Sequence, residues 1–144
     1  MTAIRPAPHG SADYERALAL RRRWLREPLG LDFTPAELAA DAESFHIVAA
    51  DGEQIVGNVT LTPGPDGVLK LRQMIVEPSL QRQSLGRLLV EAAEALGRER
   101  GFRAIHLHAR NSAIGFYERC GYEAFGEGFV EVTLPHRAMR KAIS

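Results

Sequence analysis

Between residues 45 and 109 the hydrophobic period changes twice, and that succession leaves few folds open. Phe45 to Ala50 and Gln54 to Thr62 carry β-branched and apolar residues, and Asp51-Gly52 between them is the strongest short hairpin signal. The cluster Pro63-Gly64-Pro65-Asp66-Gly67 turns the chain again, and Val68 to Val76 reads as a third strand, which Pro78 stops. From Ser84 to Arg100 the period becomes helical. Leu85, Leu88, Leu89, Ala92 and Leu96 make one apolar stripe, and Gly101 sits where a C-terminal glycine belongs. Ala104 to Ala109 is a strand again. A helix joining two strands of one sheet crosses over with a fixed hand and lays the second strand parallel to the first. A meander that gains a parallel neighbour in this way is a mixed α/β sheet.

The flanks add elements without adding a second core. Residues 2 to 5 read as a short edge strand ended by Pro6 and Pro8. Ser11 is placed to cap a helix through Tyr14, Ala17, Leu18, Arg21 and Leu25, which Pro28 and Gly30 break. Arg21-Arg22-Arg23 spans most of a turn, so its charges point in different directions and read as a solvated face. Thr34, Pro35 and Glu37 form a capping-box and first-turn-proline arrangement opening a second helix over about residues 35–43. Trp24 and Phe33 suit a pocket wall or a core, and core is the commoner use of such aromatics. Beyond Ala109, Ser112 to Cys120 is a helix, and Tyr122 to Phe125 and Phe129 to Leu134 are two closing strands. With 144 residues and neither repeat nor linker, the expectation is one domain over 1–144, of six to seven mostly antiparallel strands and about four helices.

Eighteen basic residues balance eighteen acidic ones, which excludes a chain held on nucleic acid by bulk charge but not a local basic pocket. The single cysteine, Cys120, can form neither an internal disulfide nor a cysteine-rich zinc site, and reads as a small buried filler. No apolar run reaches membrane-spanning length and no segment resembles a secretory signal, so the expectation is a cytoplasmic protein without metal or membrane partner.

Function points to the strand–loop–helix junction at residues 72–100. A short loop feeding a helix N-terminus presents unpaired N–H groups and the positive end of the helix dipole, where a diphosphate can bind. Arg82 and Arg87 flank its first turn. A second stretch, ARNSAIGFYERCGY at 109–122, follows a strand and ends at a glycine. Together, V-x-P-x-x-Q-x-x-x-x-G at 76–86 and N-x-x-x-x-F-Y-E-x-x-G-Y at 111–122 resemble the GNAT family of acyl-CoA-dependent N-acetyltransferases, over roughly residues 45–135.

The resemblance implies a GNAT-like fold whose central parallel strands splay, acetyl-CoA as co-substrate, and transfer of an acetyl group to a primary amine by direct attack. The acceptor would be a small molecule or peptide, and many such proteins form homodimers. The family's loop reads Q or R, x, x, G, x, G or A; here it is Gln81-Arg82-Gln83-Ser84-Leu85-Gly86, with Arg87 following. Ser84 replaces a glycine. Because Ser84 opens a helix, ordinary helical dihedrals are expected there, at which serine costs little and adds a hydroxyl donor. The resemblance further implies that the backbone of Met74, Ile75 and Val76 pairs with the pantetheine and that Asn111 hydrogen-bonds to it. Tyr117 would protonate the departing thiolate, its pKa of about 10 being near enough to a thiol's 8.5 to help. The amine must also lose a proton. Glu131, His136, His106, His108, His46 and a water chain with no single base are all open for that task, with Glu131 foremost among the side chains. A non-catalytic CoA-binding or partner-binding module is the alternative that Ser84 and Arg82 suggest.

Overall fold

The computed structural model describes residues 2–144, apart from the side chains of residues 81–83. Its elements are β1 (Thr2–Pro6), α1 (Ala12–Arg21), α2 (Pro35–Asp41), β2 (Phe45–Asp51), β3 (Gln54–Pro63), β4 (Val68–Val76), α3 (Leu85–Glu99), β5 (Ala104–Arg110), α4 (Ile114–Arg119), β6 (Glu123–Glu131) and β7 (Leu134–Ala142). The strands form one sheet in the order β1-β2-β3-β4-β5-β7-β6. Only β4 and β5 run parallel, as a helical crossover requires; all other neighbours are antiparallel.

The caps read from the sequence hold. Ser11 accepts the Tyr14 N–H at the start of α1, and Thr34 and Glu37 make both halves of a capping box on α2. The α1 helix continues as one wide π turn at Arg22–Arg26 and a 3-10 turn at Glu27–Leu29, ending at Gly30 with φ 70°. One face of the sheet is closed by α3, whose Leu85, Leu89, Val90 and Ala93 meet Leu69, Leu71, Ile105 and Leu107. Each such side chain, fully buried, contributes roughly 1.5–3 kcal/mol. On the other face α1 covers β2 and β3 through Ala17 and Leu20 against Val48, Ala50 and Ile55.

Two expectations fail. Arg21 is not solvated: it is 1% exposed and its guanidinium pairs with Asp41, itself fully buried, at 2.9 Å. The C-terminal strands also differ. Residues 123–131 form a single strand with an irregularity between Phe125 and Phe129, and β7 follows after a tight turn at Val132-Thr133. Both turn residues have positive φ, 48° and 64°. Tight hairpins need that geometry but usually draw it from Asn and Gly, and β-branched residues disfavour it, so the turn carries no sequence signal.

Candidate active site

The parallel pair is short. It runs from Val68 opposite Ala104 to Leu71 opposite Leu107, whereas β4 continues to Val76 and β5 to Arg110. Past Leu71 the two strands part, as the splay expectation required. A bulge in β4 coincides with the parting: Gln73 has φ 53°, the β3–β4 register shifts between Asn58 and Thr60, and Asn58 Nδ2 donates to the Gln73 carbonyl at 2.9 Å. An extra residue in one strand bends it and re-aims its side chains. The gap opens into a cleft of about 920 Å³, walled by Met74 and Ile75, by His108 and Tyr117, and by Glu131 and Trp24.

One end of the split meets the start of α3. The first main-chain bond at that start runs from Leu88 N–H to Ser84 O at 3.1 Å, so the preceding amides, those of Leu85, Gly86 and Arg87, have no intrahelical partner. Leu85 is buried in the core and Arg87 is exposed. A Cβ on Gly86 would lie 3.1 Å from the Phe116 ring and 3.9 Å from Val76 Cγ2, so the missing side chain lets the helix start close against α4 and the end of β4. The side chains of Gln81, Arg82 and Gln83 lie outside the described residues.

Ser84 departs from expectation. Its dihedrals are left-handed (φ 61°, ψ 17°) and its hydroxyl makes no capping bond. Serine therefore stands where a glycine would be unstrained, at a cost of roughly 1–2 kcal/mol. Part of that cost is offset because glycine leaves the unfolded chain freer, by about 0.4–1 kcal/mol. Ser84→Gly is expected to raise the melting temperature by about 2–4 °C. A thermal melt with no rise would show that the strain is relieved elsewhere.

On the far wall a polar cluster forms. His108 Nδ1 lies 2.9 Å from Glu131 Oε1, and His136 Nε2 lies 3.9 Å from Glu131 Oε2. With the carboxylate oxygen accepting, His108 Nδ1 is the donor of this bond, and the neutral tautomer that makes it has Nε2 as its acceptor nitrogen. His136 Nδ1 donates to the Leu134 carbonyl at 2.8 Å. Tyr117 is buried, with its ring edge-on to Phe116 and Tyr122. Burial, reinforced by Cys120, pushes its hydroxyl well above the usual tyrosine range, so it keeps its proton.

The remaining candidates separate. His46 is buried between the Thr60 hydroxyl and the Asp41 carbonyl, a packed histidine. His106 packs on Phe125, and burial together with Arg140 and Arg103 pushes its pKa down. Asn111 is exposed and lines a smaller hollow with Phe129, Val130 and Arg137. Trp24 walls the cleft, while Phe33 is buried beneath the guanidinium groups of Arg21 and Arg26. Lys70 and Arg72, which also line the cleft, were not singled out from the sequence; alternation along β4 with Leu69 and Leu71 was the available sign.

A mixed sheet whose one parallel pair parts beside a helix N-terminus defines an α/β protein with an open cleft between two central strands. The chain belongs to the acetyltransferase (GNAT) family, which residues 11–122 match. YjcF of Bacillus subtilis, an uncharacterized N-acetyltransferase, is 33% identical over 111 residues, 74% of this chain and 79% of that one. YyaT of the same organism is 32% identical over 75 residues, so the match spans about half of each chain. Among solved structures, a Lactobacillus plantarum protein superposes with a TM-score of 0.88 at 24% identity, covering 99% of both chains. An aminoglycoside 6'-N-acetyltransferase complexed with coenzyme A gives 0.79 at 19% identity, covering 99% of this chain and 97% of that one. These likenesses establish the fold. Among the described residues no helix is long and apolar enough to cross a membrane.

Proposed function

We propose that the protein transfers an acetyl group from acetyl-CoA to a primary amine by direct attack. The observation that carries this reading is the convergence on one cleft of the parted β4 edge, Tyr117 and the His108–Glu131 pair. Acetyl-CoA supplies the acetyl group as an activated thioester. The residues present suit it: the amides of Leu85, Gly86 and Arg87, which have no intrahelical partner, match a diphosphate, with Gln81, Arg82, Gln83 and Ser84 in the same loop. The parted edge at Met74, Ile75 and Val76 suits an amide-bearing arm, and Asn111, exposed in the smaller hollow, offers a further polar contact for the cofactor.

An amine of pKa about 10.4 is protonated at neutral pH, and presenting it neutral costs roughly 4–5 kcal/mol. His108 Nε2 takes that proton, and Glu131 stabilises the imidazolium that results, acting through His108 as a positioning residue. As the new C–N bond forms and the C–S bond breaks, Tyr117 donates a hydrogen bond where charge gathers on sulfur. Its raised pKa keeps the hydroxyl protonated and makes it a poor source of a fully transferred proton, so the departing thiolate takes up the second proton that the attacking nitrogen gives up. Tyr117→Phe is expected to lower kcat roughly 10²–10³-fold, the cost of losing one preorganised donor to a developing anion. Its melting temperature should still rise with acetyl-CoA; an unchanged kcat would remove Tyr117 from this role.

Mass spectrometry of a panel of primary amines incubated with acetyl-CoA tests the reaction directly. The strain at Ser84 favours one second reading, a CoA-binding module without catalysis. A thermal shift with acetyl-CoA but no acetylated product from any amine would establish it.

A further inference from the structure

We infer that the acceptor amine carries an anionic group, a carboxylate or a phosphate, held by Arg72 and Lys70 in the same cleft. The amine half of this inference rests on the acetyl-transfer reading above. Alternation places Lys70 and Arg72 on the sheet face opposite Leu69 and Leu71, which pack under α3. That face is the floor of the cleft.

The charge there is unbalanced. Arg26, Lys70, Arg72 and Arg110 line the cleft with only two carboxylates, Glu37 and Glu131. Both carboxylates are engaged: Glu37 accepts from Arg26 at 2.8 Å and Glu131 from His108 at 2.9 Å. Among the described residues, no ion pair or hydrogen bond engages the side chains of Lys70 and Arg110. Arg72 commits one N–H to the neutral Thr62 hydroxyl at 3.1 Å. A chain with zero formal charge thus gathers uncompensated positive charge in one cleft. A polycationic amine would meet no free carboxylate there, whereas an oxyanion would meet a guanidinium fork and an ammonium.

Register sets the spacing. Leu71 lies opposite Leu107 in the last parallel rung, so Arg72 stands beside His108 across the start of the split. Neighbouring strands lie about 4.8 Å apart, and further where they diverge. An anion on Arg72 therefore leaves an amine only a few bonds away within reach of His108, which suits a short aminocarboxylate or aminophosphate.

The test is calorimetric titration of the CoA-saturated protein with two matched pairs, β-alanine against ethylamine and O-phosphoethanolamine against ethanolamine. In one pair the anionic member is expected to bind roughly ten- to a hundredfold more tightly, the effect of a charge-assisted hydrogen-bonded pair. The pair that separates identifies the anion as carboxylate or phosphate. Arg72→Met and Lys70→Met should each shrink the difference severalfold while the acetyl-CoA thermal shift persists, which reports that each variant is folded. Failure of both pairs to separate, or a preference that survives both substitutions, overturns the anion site. Acetylation of all four amines without preference does so while leaving acetyl transfer intact. An Arg72-dependent preference without any acetylated product sinks acetyl transfer and leaves the anion site standing.

Discussion

Replacing His108 by Ala is expected to lower kcat/KM by roughly 10²–10⁴-fold, the usual worth of a positioned general base. Glu131→Gln should cost less than His108→Ala, because it leaves the base in place and removes only the carboxylate that lies 2.9 Å from the ring and holds its orientation. A Glu131→Gln variant with unchanged kcat/KM would remove Glu131 from the pair. A His108→Ala variant that keeps its kcat/KM would return the task to Glu131 directly or to His136, whose Nε2 lies 3.9 Å from the same carboxylate.

Asp41→Ala should be the costliest single change to stability. The Asp41 carboxylate accepts from Arg21 at 2.9 and 3.4 Å and from the Tyr14 hydroxyl at 2.6 Å, while its carbonyl accepts from His46 at 2.8 Å. Removing the carboxylate strands a buried guanidinium, an effect of about 3–5 kcal/mol. That corresponds to a fall in melting temperature of roughly 10–20 °C for a chain of this size. The double change Arg21→Met with Asp41→Ala should recover part of it, since no charge is then left buried. A single-variant fall of less than a few degrees would contradict the assignment.

The same network sets the acid sensitivity. Burial alone would raise the Asp41 carboxyl, but the Arg21 and Tyr14 hydrogen bonds outweigh it and hold it below the usual range. Burial holds His46 below the ordinary imidazole value. Both groups have folded pKa values depressed below their unfolded ones. Their contributions are therefore complete above the unfolded values, about 6.5 for His and 3.9 for Asp, and are lost as pH falls through the folded ones. Stability should decline below about pH 6.5, by at most about 1.4 kcal/mol per pH unit for the single His46 proton, and the melting temperature with it. His46→Gln should flatten that first decline.

How much of this was legible in the sequence depended on how local each signal was. The caps at Ser11 and Thr34 and the hairpin at Asp51-Gly52 are decided within a few residues and stand as read. The stripe on α3 stands in part: Leu85 and Leu89 are buried, but Leu88 is exposed and the buried face runs through Val90 and Ala93. Arg21 looked like one member of a solvated run because its partner lies 20 residues away on another helix. The final hairpin was missed because Val132 and Thr133 hold a geometry that their side chains oppose. Ser84 was misjudged for a related reason: a polar residue before an apolar stripe looks like a cap, and only its backbone shows that it is not one. The histidines and Glu131 could be named as candidates. Their pairing, however, depends on how far that hairpin folds back over β5.

The position of β7 has a consequence for how the molecule assembles. The strand latest in the chain lies inside the sheet, between β5 and β6, and not at its edge. Its two ladders differ in reach: β6 and β7 pair as a sequence-local hairpin, whereas β5 and β7 pair across α4 and β6. Glu131 rides on that hairpin, so its contact with His108 depends on β7 docking against β5. The longer-range pairing is the slower kind, so this wall of the cleft is expected to form after the hairpin itself.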